Sequence, residues 1–439
     1  VELGLLASVA SEEDLLAIQK AGLRPDDFIA FKDLYLFILN YHRDYGKFPT
    51  HEQIVHQIGE DWTFPGGEFA YWLQEFIRYV LMRRAQIIIR DRLPDIERNP
   101  QEAVRSLVNQ LTSIGLGTTE HIQATDASIL SRMERYDNRI ADFQASRGTI
   151  IRGIKTGLQI IDSSHQGWQE GELVGLYARP TVGKTWLLLR EGVEAWRYPK
   201  NRILLVSPEM PANQIALRID ALIAGEMGLP MSHRKLYAGD PEVRPTYETL
   251  ANLLSKNERW WTVDSIEGRP ITLSDIGLLH RQFQPTLILI DGISLLRDEE
   301  GAKAGWERMH NLCYGLKNFC TANDVAAIIT NQAVNTRRGR RGETDAAQGR
   351  GDDWIMPSLN DAAYGDSFVQ ACSTIITMCP DRDDARLRWY SIRKSRERDV
   401  AWQPRLALAW DVDRGRIIDL SHLATDLERI RQELDRLVA

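Results

Sequence analysis

The stretch Glu172-Leu-Val-Gly-Leu-Tyr-Ala178-Arg179-Pro180-Thr181-Val182-Gly183-Lys184-Thr185-Trp186 decides how this chain is read. It opens on a compact apolar run, the pattern of a strand buried on both faces. The run ends in a loop that closes on Gly183-Lys184-Thr185, and a helix is expected to begin near Trp186. Strand, loop and helix in that order form the P-loop pattern, with Ala178 where the first glycine usually stands. In that geometry the loop's backbone N–H groups and the helix N-terminus face a β-phosphate. Lys184 brings a point charge to the β and γ phosphates, and the Thr185 hydroxyl is a magnesium ligand. Gly-Lys-Thr alone arises by chance; its strand–loop–helix setting does not. The expected nucleotide-binding residues are Ala178, Arg179, Pro180, Thr181, Val182, Gly183, Lys184, Thr185 and Trp186.

A P-loop needs a metal-side carboxylate at the end of another strand. Leu287-Ile-Leu-Ile-Asp291 delivers one, and the C-terminal edge of an open α/β sheet is where ligands bind. Thr185 and Asp291 are therefore the expected metal residues, with Mg2+ as cofactor and ATP as substrate. Hydrolysis also needs a group to orient or deprotonate water. Glu209 ends Arg202-Ile-Leu-Leu-Val-Ser-Pro-Glu209, the next apolar run after the P-loop helix, and is the candidate base. The plain alternative is a surface glutamate in a turn. Gln332 closes Ala326-Ala-Ile-Ile-Thr-Asn-Gln332 in the same manner, where an amide can sense the γ-phosphate and pass the signal to the following loop.

Working outward, apolar runs at Glu172–Ala178, Arg202–Glu209, Thr286–Gly292, Val325–Gln332 and Ser373–Cys379 alternate with helical stretches. That alternation predicts a parallel sheet covered on both faces. Arg386–Ser395, Leu406–Val412 and Arg416–Leu420 read as hairpin-forming strands, and the tail from Ser421 as a charged amphipathic helix. The first part of the chain is helical throughout: Leu34, Phe37, Ile38 and Tyr41 recur at helical spacing until Gly46 and Pro49 stop that helix. A separate helix from about Thr125 to Arg147 carries Ile129, Met133, Tyr136, Ile140 and Phe143 as one narrow apolar seam. Such a seam packs on its own domain or docks on a neighbouring subunit. The expected architecture is α/β: a RecA-like P-loop core with a mainly parallel sheet, preceded by an all-α N-terminal domain and a linker helix. Its expected parts are a helical N-terminal domain at 1–115, which the resemblance described below implies to be a collar, a linker with docking helix at 116–149 and an ATPase motor domain at 150–439.

The 439 residues suit two domains, and 43% hydrophobic with 26% charged residues is ordinary for a globular protein. No apolar run reaches the ~18 residues needed to span a bilayer, and no secretion signal is visible at the start, so a cytoplasmic location is expected. Cys313, Cys320, Cys372 and Cys379 lie scattered without a metal-type pair and read as reduced thiols. A net charge of −7 argues against a protein that coats DNA indiscriminately, yet five arginines fall between Arg337 and Arg350.

These strand ends, in this order, resemble the motor domain of the DnaB-type replicative helicases. Lys155-Thr-Gly157-Leu-Gln-Ile-Ile-Asp162 with Gly167-Trp-Gln-Glu-Gly171 is similar to that family's lead-in, and Ser207-Pro-Glu209-Met210-Pro211 to its next signature. Pro357-Ser-Leu359-Asn-Asp361 resembles the start of its DNA-facing loop, and Pro25-Asp-Asp-Phe28 through Gly46-Lys-Phe-Pro49 its helical collar. The resemblance implies a homohexameric ring that couples ATP hydrolysis to 5′→3′ travel on single-stranded DNA and opens forked DNA. It also implies a primase and a helicase loader as partners and no membrane; the compact length suits a phage-encoded member in a host cytoplasm. Lys394-Ser-Arg396 has the spacing by which the family reaches a neighbour's ATP, so these two join Glu209, Lys184 and Gln332 as candidate catalytic residues. Arg337, Arg338, Arg340 and Arg341, in a Gly/Arg-rich loop, are expected to follow DNA phosphates without reading sequence. The family's usual Arg-Glu-Ser-Gly stretch is replaced here by Ala363-Tyr364-Gly365-Asp366, which leaves backbone N–H groups near Tyr364, Gly365 and Asp366 as DNA donors. A filament-forming strand-exchange recombinase and a non-motor assembly scaffold are the alternatives.

Overall fold

The computed structural model describes residues 1–59, 66–100, 103–104, 106–107, 110–111, 129–145, 151–255, 257–266, 268–299, 301, 304–333, 355–363, 365–396, 405–423 and 426–438. They form two compact units, Val1–Ile140 and Ala141–Ala439.

The first unit is helical: α1 (Glu2–Ala7), α2 (Glu12–Lys20), α3 (Lys32–Tyr45), α4 (His51–Ile58), α5 (Phe69–Arg98) and the start of α6 (Ile129–Ala145). Gly46 ends α3 in the left-handed conformation that glycine adopts freely, and the Thr50 hydroxyl accepts from Gln53 N to start α4. Leu5, Leu6, Ile18, Phe28, Leu34, Ile38, Phe76 and Val80 make its core. On α6 the predicted seam is exposed at Ile129, Met133, Tyr136 and Ile140.

The second unit is built on a nine-stranded sheet in the order β3-β2-β4-β5-β1-β6-β7-β8-β9. Its strands are β1 (Leu173–Ala178), β2 (Ile203–Val206), β3 (Trp260–Val263), β4 (Leu287–Ile290), β5 (Ala326–Gln332), β6 (Thr374–Pro380), β7 (Leu387–Ser395), β8 (Leu406–Asp411) and β9 (Arg416–Asp419). β3, β2, β4, β5, β1 and β6 run parallel, and β7 to β9 add an antiparallel extension. The edge strand β3, Trp-Trp-Thr-Val, has no counterpart in the sequence reading; only half-buried, it lacks the apolar run that marks its neighbours. β2 ends at Val206, three residues short of the expected Glu209, because Pro208 offers no N–H to a ladder.

The helices of this unit are α7 (Gln159–His165), α8 (Lys184–Trp196), α9 (Ala212–Glu226), α10 (His233–Ala238), α11 (Arg244–Leu254), α12 (Leu273–Phe283), α13 (Gly305–Ala322), α14 (Gly365–Ala371) and α15 (Leu427–Val438). Alternate strand residues face opposite layers. Val174, Leu176, Leu205, Leu289, Ile328 and Ile392 pack with α7, α8 and α9, whereas Leu173, Tyr177, Leu204, Ile288 and Ile329 pack with α12, α13 and α14. The charged tail has a structural use: Ile430 and Leu434 of α15 are buried against Met356, Leu387, Trp389, Ala407 and Ala409. Among the described residues no helix is long and apolar enough to cross a membrane.

Candidate nucleotide site

The C-terminal ends of β1, β2, β4 and β5 lie side by side, which brings the four predicted strand ends to one edge of the sheet. The P-loop leaves β1 at Ala178. Thr181 sits at φ +63, and Gly183 caps α8 at φ +116. Only glycine fits there comfortably: a β-carbon on residue 183 would stand 2.4 Å from the indole of Trp410. Arg388 completes that wall, its guanidinium 5.3 Å from the Trp410 ring and its Nε donating to the Val182 carbonyl at 3.2 Å. Helix α8 begins at Lys184 itself, two residues earlier than expected, so Lys184 and Thr185 form its first turn.

Lys184 Nζ donates back to the Ala178 carbonyl at 3.3 Å. Burial pulls its pKa down, while the carboxylates of Glu209 and Asp291 push the other way. Asp291 is 1% exposed and accepts from two hydroxyls, Thr185 Oγ1 at 2.8 Å and Thr330 Oγ1 at 2.9 Å. Thr330 is fixed in turn, since its hydroxyl oxygen accepts from Gly292 N at 2.7 Å. A carboxylate oriented by a hydroxyl from the P-loop helix is an all-oxygen donor set of the kind magnesium takes.

Glu209 is exposed at the rim, and its Oε2 lies 3.6 Å from where a β-carbon on Gly292 would stand. Its loop is held from behind, because Asp264 accepts from Ala212 N at 2.8 Å as α9 begins. Gln332 presents an exposed side chain at the end of β5. Its carbonyl accepts from Ala363 N at 2.9 Å, and Asn331 Nδ2 donates to the Ala363 carbonyl at 2.8 Å. Tyr177 of β1 adds a third link, donating to the Ser358 carbonyl at 2.7 Å. Strand ends at the site thus hold the 358–363 segment directly.

Lys394 and Arg396 stand elsewhere. β7 runs antiparallel to β6, so Thr374 at the start of β6 pairs with Ser395 and also with Val174 near the start of β1. From that register to Ala178 is four residues, about 13 Å along the strand. The basic pair therefore occupies the sheet edge opposite the P-loop of its own chain. A bulge at Arg393 precedes it. Lys394 Nζ donates to the carbonyls of Cys372 at 2.8 Å, Gln370 at 3.2 Å and Val369, and Arg396 Nη2 to Gln370 at 2.6 Å, at the C-terminus of α14. Burial, then the nearby Arg396 charge, lower the Lys394 pKa.

Of the expected DNA residues, Gly365 and Asp366 open α14, whereas Arg337, Arg338, Arg340, Arg341 and Tyr364 lie outside the described residues. The sequence reading missed Arg218. It projects from α9 over Trp186, 5.2 Å from the ring centroid, where the charges of Asp291 and Glu209 both act on it. Its signal was an arginine three residues after Ile215 and four before Leu222, inside the buried stripe of its helix. Trp186 also meets His233 edge-on at 5.0 Å.

Comparison with known proteins agrees with this geometry. Residues 153–345 match the family model of the DnaB-like helicase C terminal domain. The replicative DNA helicase DnaB of Helicobacter pylori is 35% identical over 212 residues, covering 48% of this chain and 43% of that protein. A probable plasmid replicative DNA helicase of Chlamydia muridarum is 23% identical over 222 residues, 50% of this chain and 47% of that protein. The chain thus spans about half the length of the curated relatives it matches. A solved DnaB-like replicative helicase, described with its interactions with primase, superposes with a TM-score of 0.62 at 18% identity over 95% of this chain and 98% of its own. A second solved structure, an ATPase domain, gives 0.55 at 18% identity over 68% of this chain and 99% of its own. With a P-loop and its companion strand ends on one sheet edge, and with that family model on the same residues, residues 153–345 are similar to the C-terminal domain of the DnaB-like helicases.

Proposed function

We propose that this protein is an ATP-dependent replicative DNA helicase that works as a homohexameric ring. The observation that carries the proposal is the split of the hydrolytic groups between opposite sheet edges. Lys184, Thr185, Glu209, Asp291 and Gln332 gather at one edge, and Lys394 and Arg396 lie at the other. A basic pair that cannot reach its own phosphates serves a neighbour's, and six chains joined head to tail close a ring.

In this reading Thr185 and Asp291 hold Mg2+, which would neutralise charge on the phosphoryl oxygens. Lys184 binds the β and γ phosphates, Glu209 orients and deprotonates the attacking water, and Arg396 with Lys394 of the adjoining subunit stabilises the transferring group. Gln332 senses the γ-phosphate. Its backbone bond to Ala363 gives that signal a route to the 358–363 segment. That segment, the backbone near Tyr364, Gly365 and Asp366, and the arginines Arg337, Arg338, Arg340 and Arg341 track one DNA strand by its phosphates, in the 5′→3′ sense. Residues 1–115 act as collar and 116–149 as linker, whose exposed seam at Ile129, Met133, Tyr136 and Ile140 docks on a neighbour. A primase and a loader are the further partners, in the cytoplasm.

Two variants test the division of labour. Lys184→Ala is expected to lose ATP turnover, and Arg396→Ala to lose roughly 10³-fold while still binding nucleotide. Normal hydrolysis by Arg396→Ala would contradict the trans role.

A further inference from the structure

We propose that His165 is a positioning residue for the basic pair, clamping the end of β7 through Ser395; this rests on the trans role of Lys394 and Arg396. Among the described residues β8 pairs with β7 from Leu387 to Tyr390, and beyond that the ladder partner of β7 is β6. That end of β7 carries both basic residues. Side chains alternate along a strand, so with Lys394 and Arg396 turned to the α14 carbonyls, Ser395 points to the opposite face. There α7 supplies His165, 7% exposed, with Nε2 2.6 Å from Ser395 Oγ.

The neighbouring hydroxyl assigns a sense to this bond. The Ser164 hydroxyl has one proton and gives it to the Ile160 carbonyl, which can only accept. Ser164 Oγ then accepts from His165 Nδ1, 2.7 Å away, and in the neutral ring Nε2 is the acceptor of the Ser395 hydroxyl. The ring is oriented from both sides, and Gln169 Nε2 donates to the His165 carbonyl at 3.0 Å. His165 thus anchors the end of β7 from the face of the sheet through the Ser395 side chain. Its bond to Ser395 lies at the sheet edge opposite the nucleotide edge, so its effect on turnover is expected to pass through the basic pair.

The test is ATP turnover of the full chain with single-stranded DNA for His165→Ala, His165→Gln, Ser395→Ala and each alanine variant combined with Arg396→Ala. Loosening a reacting group by an ångström costs up to about 10²-fold, so a fall of about tenfold in kcat with KM for ATP unchanged is expected for His165→Ala. Glutamine, whose carbonyl oxygen can accept from Ser395, should restore most of it. In the Arg396→Ala background His165→Ala and Ser395→Ala should each cost much less than in the wild type, since only Lys394 is left to position. Wild-type kcat in both single alanine variants, or losses that multiply with that of Arg396→Ala, overturn the clamp. Normal turnover by Arg396→Ala alone would sink the trans reading and the clamp with it. If His165→Ala misfolds, Ser395→Ala, which removes one hydroxyl, decides.

Discussion

Replacing Arg218 by methionine isolates what its charge does. The guanidinium lies 5.2 Å above the Trp186 ring and makes no ion pair or hydrogen bond among the described residues, so its fixed partner is an aromatic face. Such a contact contributes about 0.5–2 kcal/mol. Methionine keeps an unbranched apolar stem on the indole, so folding stability should fall by about 1 kcal/mol. The charge is another matter. It sits within the field of Asp291 and Glu209, the two carboxylates that the proposed mechanism sets around the transferring phosphoryl group. Losing one preorganised cationic donor there costs about 10²–10³ in kcat, roughly 3–4 kcal/mol of transition-state stabilisation. Steady-state hydrolysis with single-stranded DNA, binding of a fluorescent nucleotide analogue and a thermal melt separate the two effects. Arg218→Met should lose turnover by that factor with nucleotide affinity within about tenfold, and Arg218→Lys should recover part of it. Turnover within about threefold of wild type, with a lowered melting temperature, would refute the reasoning and leave Arg218 a packing residue.

Two further outcomes follow from single positions. Gly183→Ala forces φ +116 on a residue whose β-carbon meets Trp410 at 2.4 Å, so nucleotide affinity should fall at least about tenfold by titration; unchanged affinity would contradict the loop geometry. Glu191 is buried against Arg190 and Trp168 Nε1, and burial pushes its pKa up to about 7. The folded chain therefore keeps a proton that the unfolded chain releases near pH 4.5, and this stabilising contribution is lost as pH rises towards 7. The melting-temperature difference, Glu191→Gln minus wild type, should grow over that window by the equivalent of about 3 kcal/mol and then level off. A difference that stays flat would show the pair titrating outside it.

Residues whose role follows from strand position were legible in the sequence. Asp291, Gln332 and Lys184 each follow an apolar run, and a parallel sheet delivers such positions to one edge whatever the surrounding detail. Glu209 reaches the same edge, although Pro208 ends β2 early and puts it on a loop. What stayed hidden depends on tertiary pairing. Arg218 is nine residues from Glu209 on the next helix, and nothing local says that its helix leans over Trp186. Trp410 and Arg388 come from the antiparallel extension, more than two hundred residues from the loop they wall. The half-buried Trp260–Val263 lacks a run long enough to stand out, and the tail helix gained a purpose only when strands with an uncovered face were seen beneath it. Lys394 and Arg396 came from resemblance; that they stand opposite their own P-loop needed the register of β6 on β7.

The central claim is that the ATP cycle drives one strand through a ring and parts the other. Strand displacement on forked DNA, comparing 5′-tailed with 3′-tailed substrates and using Lys184→Ala as control, tests it most directly. Unwinding should depend on ATP, require the 5′ tail and vanish in the variant. DNA-stimulated hydrolysis with no displacement on either fork would contradict it.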